Sequence, residues 1–80
     1  MDEPGNNKIE TKDAAFKRLA TKRTNKVLKS LQLLGNLANK RNYAYTEEDY
    51  KAMFGAIEEE YRLTKAKFTI GLRKKPYVEL

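Results

Sequence analysis

Apolar residues recur at helical spacing through two long stretches of this chain. From about Ala14 to Leu37 or Ala38, the residues Phe16, Ala20, Val27, Leu31, Leu34 and Ala38 fall on one stripe at three- and four-residue steps. Leu28 and Gly35 border that stripe, Leu33 and Leu37 form a second strip beside it, and Leu19 lies farther back. From Val27 to Leu37 the apolar coverage is wider than a two-helix contact requires. The expectation is more than one neighbour: a second helix, plus either the C-terminal tail or a second copy of the protein. Gly35 costs about 1 kcal/mol against Ala inside a helix, and close helix approach is the benign explanation. Asn36, Asn39 and Asn42 crowd the predicted end, where Asn can adopt the left-handed cap conformation.

The second stretch opens on Tyr45-Thr46-Glu47-Glu48-Asp49-Tyr50, the strongest helix start in the chain. Thr46 suits the N-cap, because its hydroxyl can accept a backbone N–H that has no partner inside the helix. Asp49 stands at the capping-box position, and Tyr45 and Tyr50 have the spacing of a hydrophobic staple. Glu47 and Glu48 favour the positive end of the helix dipole. From Glu47 to about Lys67, the residues Tyr50, Met53, Phe54, Ile57, Tyr61, Thr64 and Phe68 make a continuous stripe. Glu47–Lys51 and Glu58–Arg62 are spaced for favourable side-chain pairs. Tyr43-Ala44-Tyr45 leaves only a short link, so the two helices are expected to pack as antiparallel neighbours.

The expected fold is therefore all-α. An antiparallel two-helix hairpin over 13–68 is flanked by a flexible arm over 1–12 and a basic tail over 69–80, with dimerisation as one way of completing it. In the arm, Pro4 and Gly5 break structure, and Thr11 or Asp13 could cap the first helix. In the tail, Phe68, Ile70 and Leu72 alternate, which suggests a short extended segment, and Gly71 and Pro76 argue against continued helix.

Charge changes this picture more than any other compositional feature. The net charge of +6 is segregated: residues 12–41 hold nine Lys or Arg against Asp13 alone, a net +8, while residues 42–60 hold six acids against Lys51, a net −5. Arg18, Lys22, Lys26 and Lys29 follow helical spacing with Arg23 alongside, a stripe that could track a phosphate backbone. In a hairpin, Glu58, Glu59 and Glu60 would come level with Lys26 and Lys29, so internal neutralisation is the competing explanation. Lys40-Arg41 and Arg73-Lys74-Lys75 are two further basic clusters near aromatics, Tyr43 and Tyr45 for the first and Tyr77 for the second. Bases with aromatics suit single-strand or RNA contacts, in which rings stack on bases. Lys-rich tails also simply solubilise a chain.

Other chemistry is thinly represented. The 80 residues contain no Cys and no His, which removes the thiol nucleophile, the commonest general base and the commonest metal ligand. Ser30 is the only serine and lies mid-helix with no base-and-orienter pattern around it. No glycine-rich phosphate loop is present, and the runs Glu47-Glu48-Asp49 and Glu58-Glu59-Glu60 point around a helix rather than at one ion. No enzyme activity, cofactor, metal or small-molecule substrate is expected. No segment approaches the roughly 18 apolar residues that suggest a membrane span. The first seven residues are acidic and polar, unlike a signal peptide, so the expected compartment is the cytoplasm.

The runs Lys22-Arg23-Thr24-Asn25-Lys26-Val27-Leu28-Lys29, Leu34-Gly35-Asn36-Leu37-Ala38-Asn39-Lys40 and Tyr43-Ala44-Tyr45-Thr46-Glu47-Glu48-Asp49 resemble short, uncharacterised helical proteins of phage and mobile-element origin. The resemblance covers the two helices and implies an accessory, non-enzymatic role, with no residue role to carry over. Two functions remain. One is a small basic protein binding nucleic acid, RNA or single strands favoured, through Arg18, Lys22, Arg23, Lys26, Lys29, Lys40, Arg41, Arg73, Lys74 and Lys75. The other is an interaction module, such as an inhibitor or adaptor of the anti-CRISPR type, acting on a host protein or ribonucleoprotein. It would use an acidic surface on the partner, or its own interface residues Leu33 and Leu37, which also serve for a homodimer.

Overall fold

The computed structural model describes residues 9–73. They form α1 (Lys12–Gly35), a single 3-10 turn (Asn36–Ala38) and α2 (Glu47–Arg73), with no strand among the described residues. The chain divides into two compact units, Met1–Tyr43 and Ala44–Leu80.

In the first unit Thr11 is the N-cap. Its backbone is extended (φ −73°, ψ 164°), its Oγ1 accepts the Ala14 N–H at 3.0 Å, and its carbonyl accepts the Ala15 N–H at 2.9 Å. Asp13, the other candidate, lies inside the first turn, where its carboxylate favours the dipole and meets Lys17 at 3.2 Å. The helix thus begins two residues before Ala14.

At the other end the expected left-handed Asn cap does not form at Asn36, which stays right-handed (φ −65°, ψ −20°). The helix tightens into the 3-10 turn, and backbone N–H groups at the cap satisfy the carbonyls of Gln32, Leu33 and Leu34. Asn39 (φ −71°, ψ 105°) then halts the helical backbone. Its side-chain oxygen accepts the Arg41 N–H at 3.0 Å, and its carbonyl accepts those of Asn42 and Tyr43 at 3.1 and 3.0 Å. The short amide works here as an Asx turn rather than as a left-handed cap. Gly35 is also right-handed, and a Cβ built on it would meet nothing within 4 Å, so its own unit supplies no close approach to explain it.

In the second unit the capping box closes in both directions. Thr46 Oγ1 accepts the Asp49 N–H at 3.0 Å, and Asp49 Oδ2 accepts the Thr46 N–H at 2.8 Å. Tyr45 is half-buried at the staple position, and Tyr50 meets the Phe54 ring edge-on at 6.4 Å. Lys51 pairs with Glu47 at 3.0 Å as spaced. Arg62, however, turns to Glu59 rather than Glu58, with Nη2 2.8 Å from Oε2 and Nε 3.4 Å from Oε1. Both spacings bring side chains together on a helix, and Glu59 offers the guanidinium fork both of its oxygens.

The end of α2 corrects the sequence reading. The helix does not stop near Lys67 but continues through Gly71 to Arg73, so Phe68, Ile70 and Leu72 do not form an extended segment. A single Gly costs about 1 kcal/mol against Ala, whereas a helix already nucleated gains a backbone hydrogen bond with each added residue. Leu72 therefore joins Tyr61 and Phe68 on the aromatic stripe, and Ile70 falls with Ala52, Ala56 and Leu63 on the opposite side of α2. The arm residues 1–8 and the tail residues 74–80 lie outside the described residues.

No described side chain is buried. The most covered positions are Ala15, Leu19, Ala20 and Leu34 in the first unit and Tyr45, Ile57 and Ala66 in the second.

Candidate nucleic-acid interface

α1 is continuous from Lys12 to Gly35, and its periodicity sets the face on which each cation stands. Arg18, Lys22, Lys26 and Lys29 share a face roughly opposite Phe16, Val27, Leu31 and Leu34. Lys22 and Lys29 are about 10 Å apart along the axis at 1.5 Å per residue. Arg23 stands apart from them. It follows Phe16 by seven residues and precedes Val27 by four, which places it on the apolar stripe. Its aliphatic stem can lie along that surface while the guanidinium reaches outward.

The two acids of residues 9–43 are Glu10 and Asp13, and both are engaged at the start of the helix. Arg18 donates to Glu10 through Nε and Nη2, each at 2.9 Å, a two-pronged pair that ties the residue before the cap to the second turn. The hydrogen bonds from Arg18, and then its charge, hold the Glu10 carboxyl below its ordinary pKa. Asp13 holds Lys17. With both acids taken, Lys22, Arg23, Lys26 and Lys29 are exposed and have no ion pair among the described residues of their unit. The sequence reading had placed Glu10 in the flexible arm. The signal was available, since Glu10 is the nearest acid before the helix, but its partner depends on how the chain enters the cap.

The remaining candidate residues are dispersed. Lys40 and Arg41 lie in the turn held by Asn39, with Tyr43, 49% exposed, two residues on. Arg73 is the last residue of α2. Lys74, Lys75 and Tyr77 lie outside the described residues. Leu33 on α1 and Leu37 in the 3-10 turn are 56% and 44% exposed. Leu33 is four residues past Lys29, so the basic face runs on into an apolar one.

In α2 several of the charges are answered locally instead. Besides the Glu47–Lys51 and Glu59–Arg62 pairs, Thr64 Oγ1 donates to Glu60 Oε2 at 3.2 Å, and the Lys65 ammonium lies 5.4 Å from the centre of the Tyr61 ring. Among the described residues no three acids converge on a possible metal position, and no helix is long and apolar enough to cross a membrane. No family model, curated protein or solved structure matches this chain.

Proposed function

We propose that this chain is a small, basic, non-enzymatic helical protein that binds nucleic acid, RNA or single strands in preference to duplex, through electrostatic contacts centred on Lys22, Lys26 and Lys29. The observation that carries this reading is that, among the described residues of their own unit, no acid is left to neutralise them, since Arg18 and Lys17 already hold Glu10 and Asp13. Lys40 and Arg41 extend the positive surface. Exposed Tyr43 beside them offers a ring on which a base can stack, which is the reason to favour unpaired strands. In this proposal the two helices form the antiparallel hairpin that the short link from Asn39 to Thr46 favours.

Binding by phosphate neutralisation has a salt signature. Each neutralised phosphate of a single strand contributes about −0.7 to the slope of log affinity against log salt. Three or four contacts predict a slope of roughly −2 to −3. Fluorescence anisotropy with labelled single-stranded RNA and duplex DNA across a salt series measures it. Steeply salt-dependent binding that favours the single strand is the expected result, and no binding at low salt would overturn the proposal.

A second reading rests on exposed Leu33 and Leu37. It is an accessory interaction module, of the phage or mobile-element kind the sequence resembles, that docks on an acidic protein surface. Leu33→Lys or Leu37→Lys should then abolish the complex while circular dichroism shows the helices intact. Loss of helicity would instead assign the strip to the core.

A further inference from the structure

The continuation of α2 to Arg73 creates a second apolar seam on that helix, opposite the aromatic stripe. Ala56, Leu63 and Ile70 recur every seven residues, and Ala52, Glu59 and Ala66 recur with the same period between them. Alternating steps of four and three are the pattern of a coiled-coil seam. Leu63 and Ile70 are 43% and 55% exposed. Ala52, Ala56 and Ala66 are small enough for a facing helix to approach closely.

We propose that this seam binds the same seam of a second copy of the chain, with the two α2 helices antiparallel. Charge selects both the occupant and the direction. Residues 47–60 carry six acids and Lys51, a net −5, whereas residues 61–73 carry Arg62, Lys65, Lys67 and Arg73 with no acid, a net +4. An antiparallel pair sets each acidic half against the basic half of the other copy, and a parallel pair would set like against like. Pairing α1 with α1 is opposed for the same reason, since Lys12–Gly35 holds seven bases and one acid.

The side chains also fit in one register. With a two-fold axis near Tyr61, Ala52 faces Ile70 of the second copy, Ala56 faces Ala66, and Glu59 lies beside Leu63. Small residues thus meet large ones at both ends of the seam. Asp49 and Arg73, the next positions outward, meet as an ion pair at each end. Glu59 brings its own counter-ion, because Arg62 of the same chain already holds it. The interface is isologous, as a closed dimer requires. It also covers apolar surface that is exposed on the described residues of α2.

The test is made on the full chain. Sedimentation equilibrium should show a dimer at micromolar concentration, with dissociation increasing as salt rises. Leu63→Glu combined with Ile70→Glu should weaken the dimer at least tenfold with helicity retained, whereas Leu33→Lys should leave it intact. The chain has no cysteine, so single cysteines report the register even if the glutamate variant loses helix. Oxidising a mixture of Ala52→Cys and Ile70→Cys should give the mixed disulfide dimer. Neither variant alone should cross-link, because like positions lie about 27 Å apart along the antiparallel pair. A chain that stays monomeric, self-cross-linking of Ala52→Cys alone, or a dimer dissolved by Leu33→Lys but not by the Leu63 and Ile70 variant would each overturn the proposal.

Discussion

α1 and α2 begin in the same way, with a threonine whose hydroxyl caps the third residue beyond it. They then treat charge in opposite ways. Along α2, acids and bases alternate in blocks, so that Lys51, Arg62 and Lys65 each find a partner within four residues. Along α1 the acids stop at Asp13 while the bases continue to Lys29. A helix neutralises its cations only with what lies three or four positions away or at its own ends. Three of the cations of α2 are therefore met locally, whereas those of α1 from Lys22 to Lys29 are left for something else to meet. Net charge alone would not separate these two cases.

The contrast breaks most visibly in binding. Replacing Lys22, Lys26 and Lys29 with Gln should reduce the salt slope on single-stranded RNA by about 2, at roughly 0.7 per lost contact, and lower affinity by an order of magnitude or more at low salt. The same three-residue neutralisation on α2, at Lys51, Arg62 and Lys65, should leave the slope nearly unchanged. Equal effects from both sets, measured by anisotropy, would refute the assignment of binding to α1.

The two caps offer a smaller contrast. Thr46→Ala and Thr11→Ala each remove one hydroxyl acceptor, and the backbone N–H of residue 46 still donates to Asp49 Oδ2. Each loss should cost about 1 kcal/mol, as read from urea unfolding followed by circular dichroism, and a cost near zero at either position would show that the cap does not hold its helix. Gly55→Ala acts in the other direction. A Cβ at Gly55 meets nothing within 4 Å, so the substitution should stabilise α2 by up to about 1 kcal/mol, and a loss of stability would show that another element needs that space. The smallest effect is electrostatic. Glu10 titrates below an ordinary glutamate because of Arg18. Its contribution to the entry of α1 is present above the unfolded-state pKa and lost as pH falls through the lowered folded value. Arg18→Gln should raise the Glu10 midpoint in an NMR pH titration, and an unchanged midpoint would remove the pair from solution.

Much of this was legible in the residues. The capping box at Thr46 and Asp49, the Glu47–Lys51 pair and the two apolar stripes follow from spacing, because a helix repeats its neighbours every three or four residues whatever surrounds it. The candidate interface was legible in part. Lys22, Lys26 and Lys29 stand together as spaced, but Arg23 lies on the apolar stripe and Arg18 is committed to Glu10. The seam of Ala52, Ala56, Leu63 and Ile70 is hidden in the sequence, because the alternation of Phe68, Ile70 and Leu72 also suits an extended segment and Gly71 argues against helix. Once Gly71 is inside the helix, the seven-residue period becomes apparent.

By itself, then, the sequence determined that the described chain is helical, that α2 starts at the Thr46 cap, and which side chains share a face. All of these depend on residues within about four positions of one another. Only the three-dimensional structure decided that α2 runs through Gly71, that α1 ends in a 3-10 turn closed by Asn39, and that Glu10 reaches back to Arg18. In each case two local preferences of similar size compete, and the winner is set by hydrogen bonds and ion pairs that exist only once the backbone has taken a definite path.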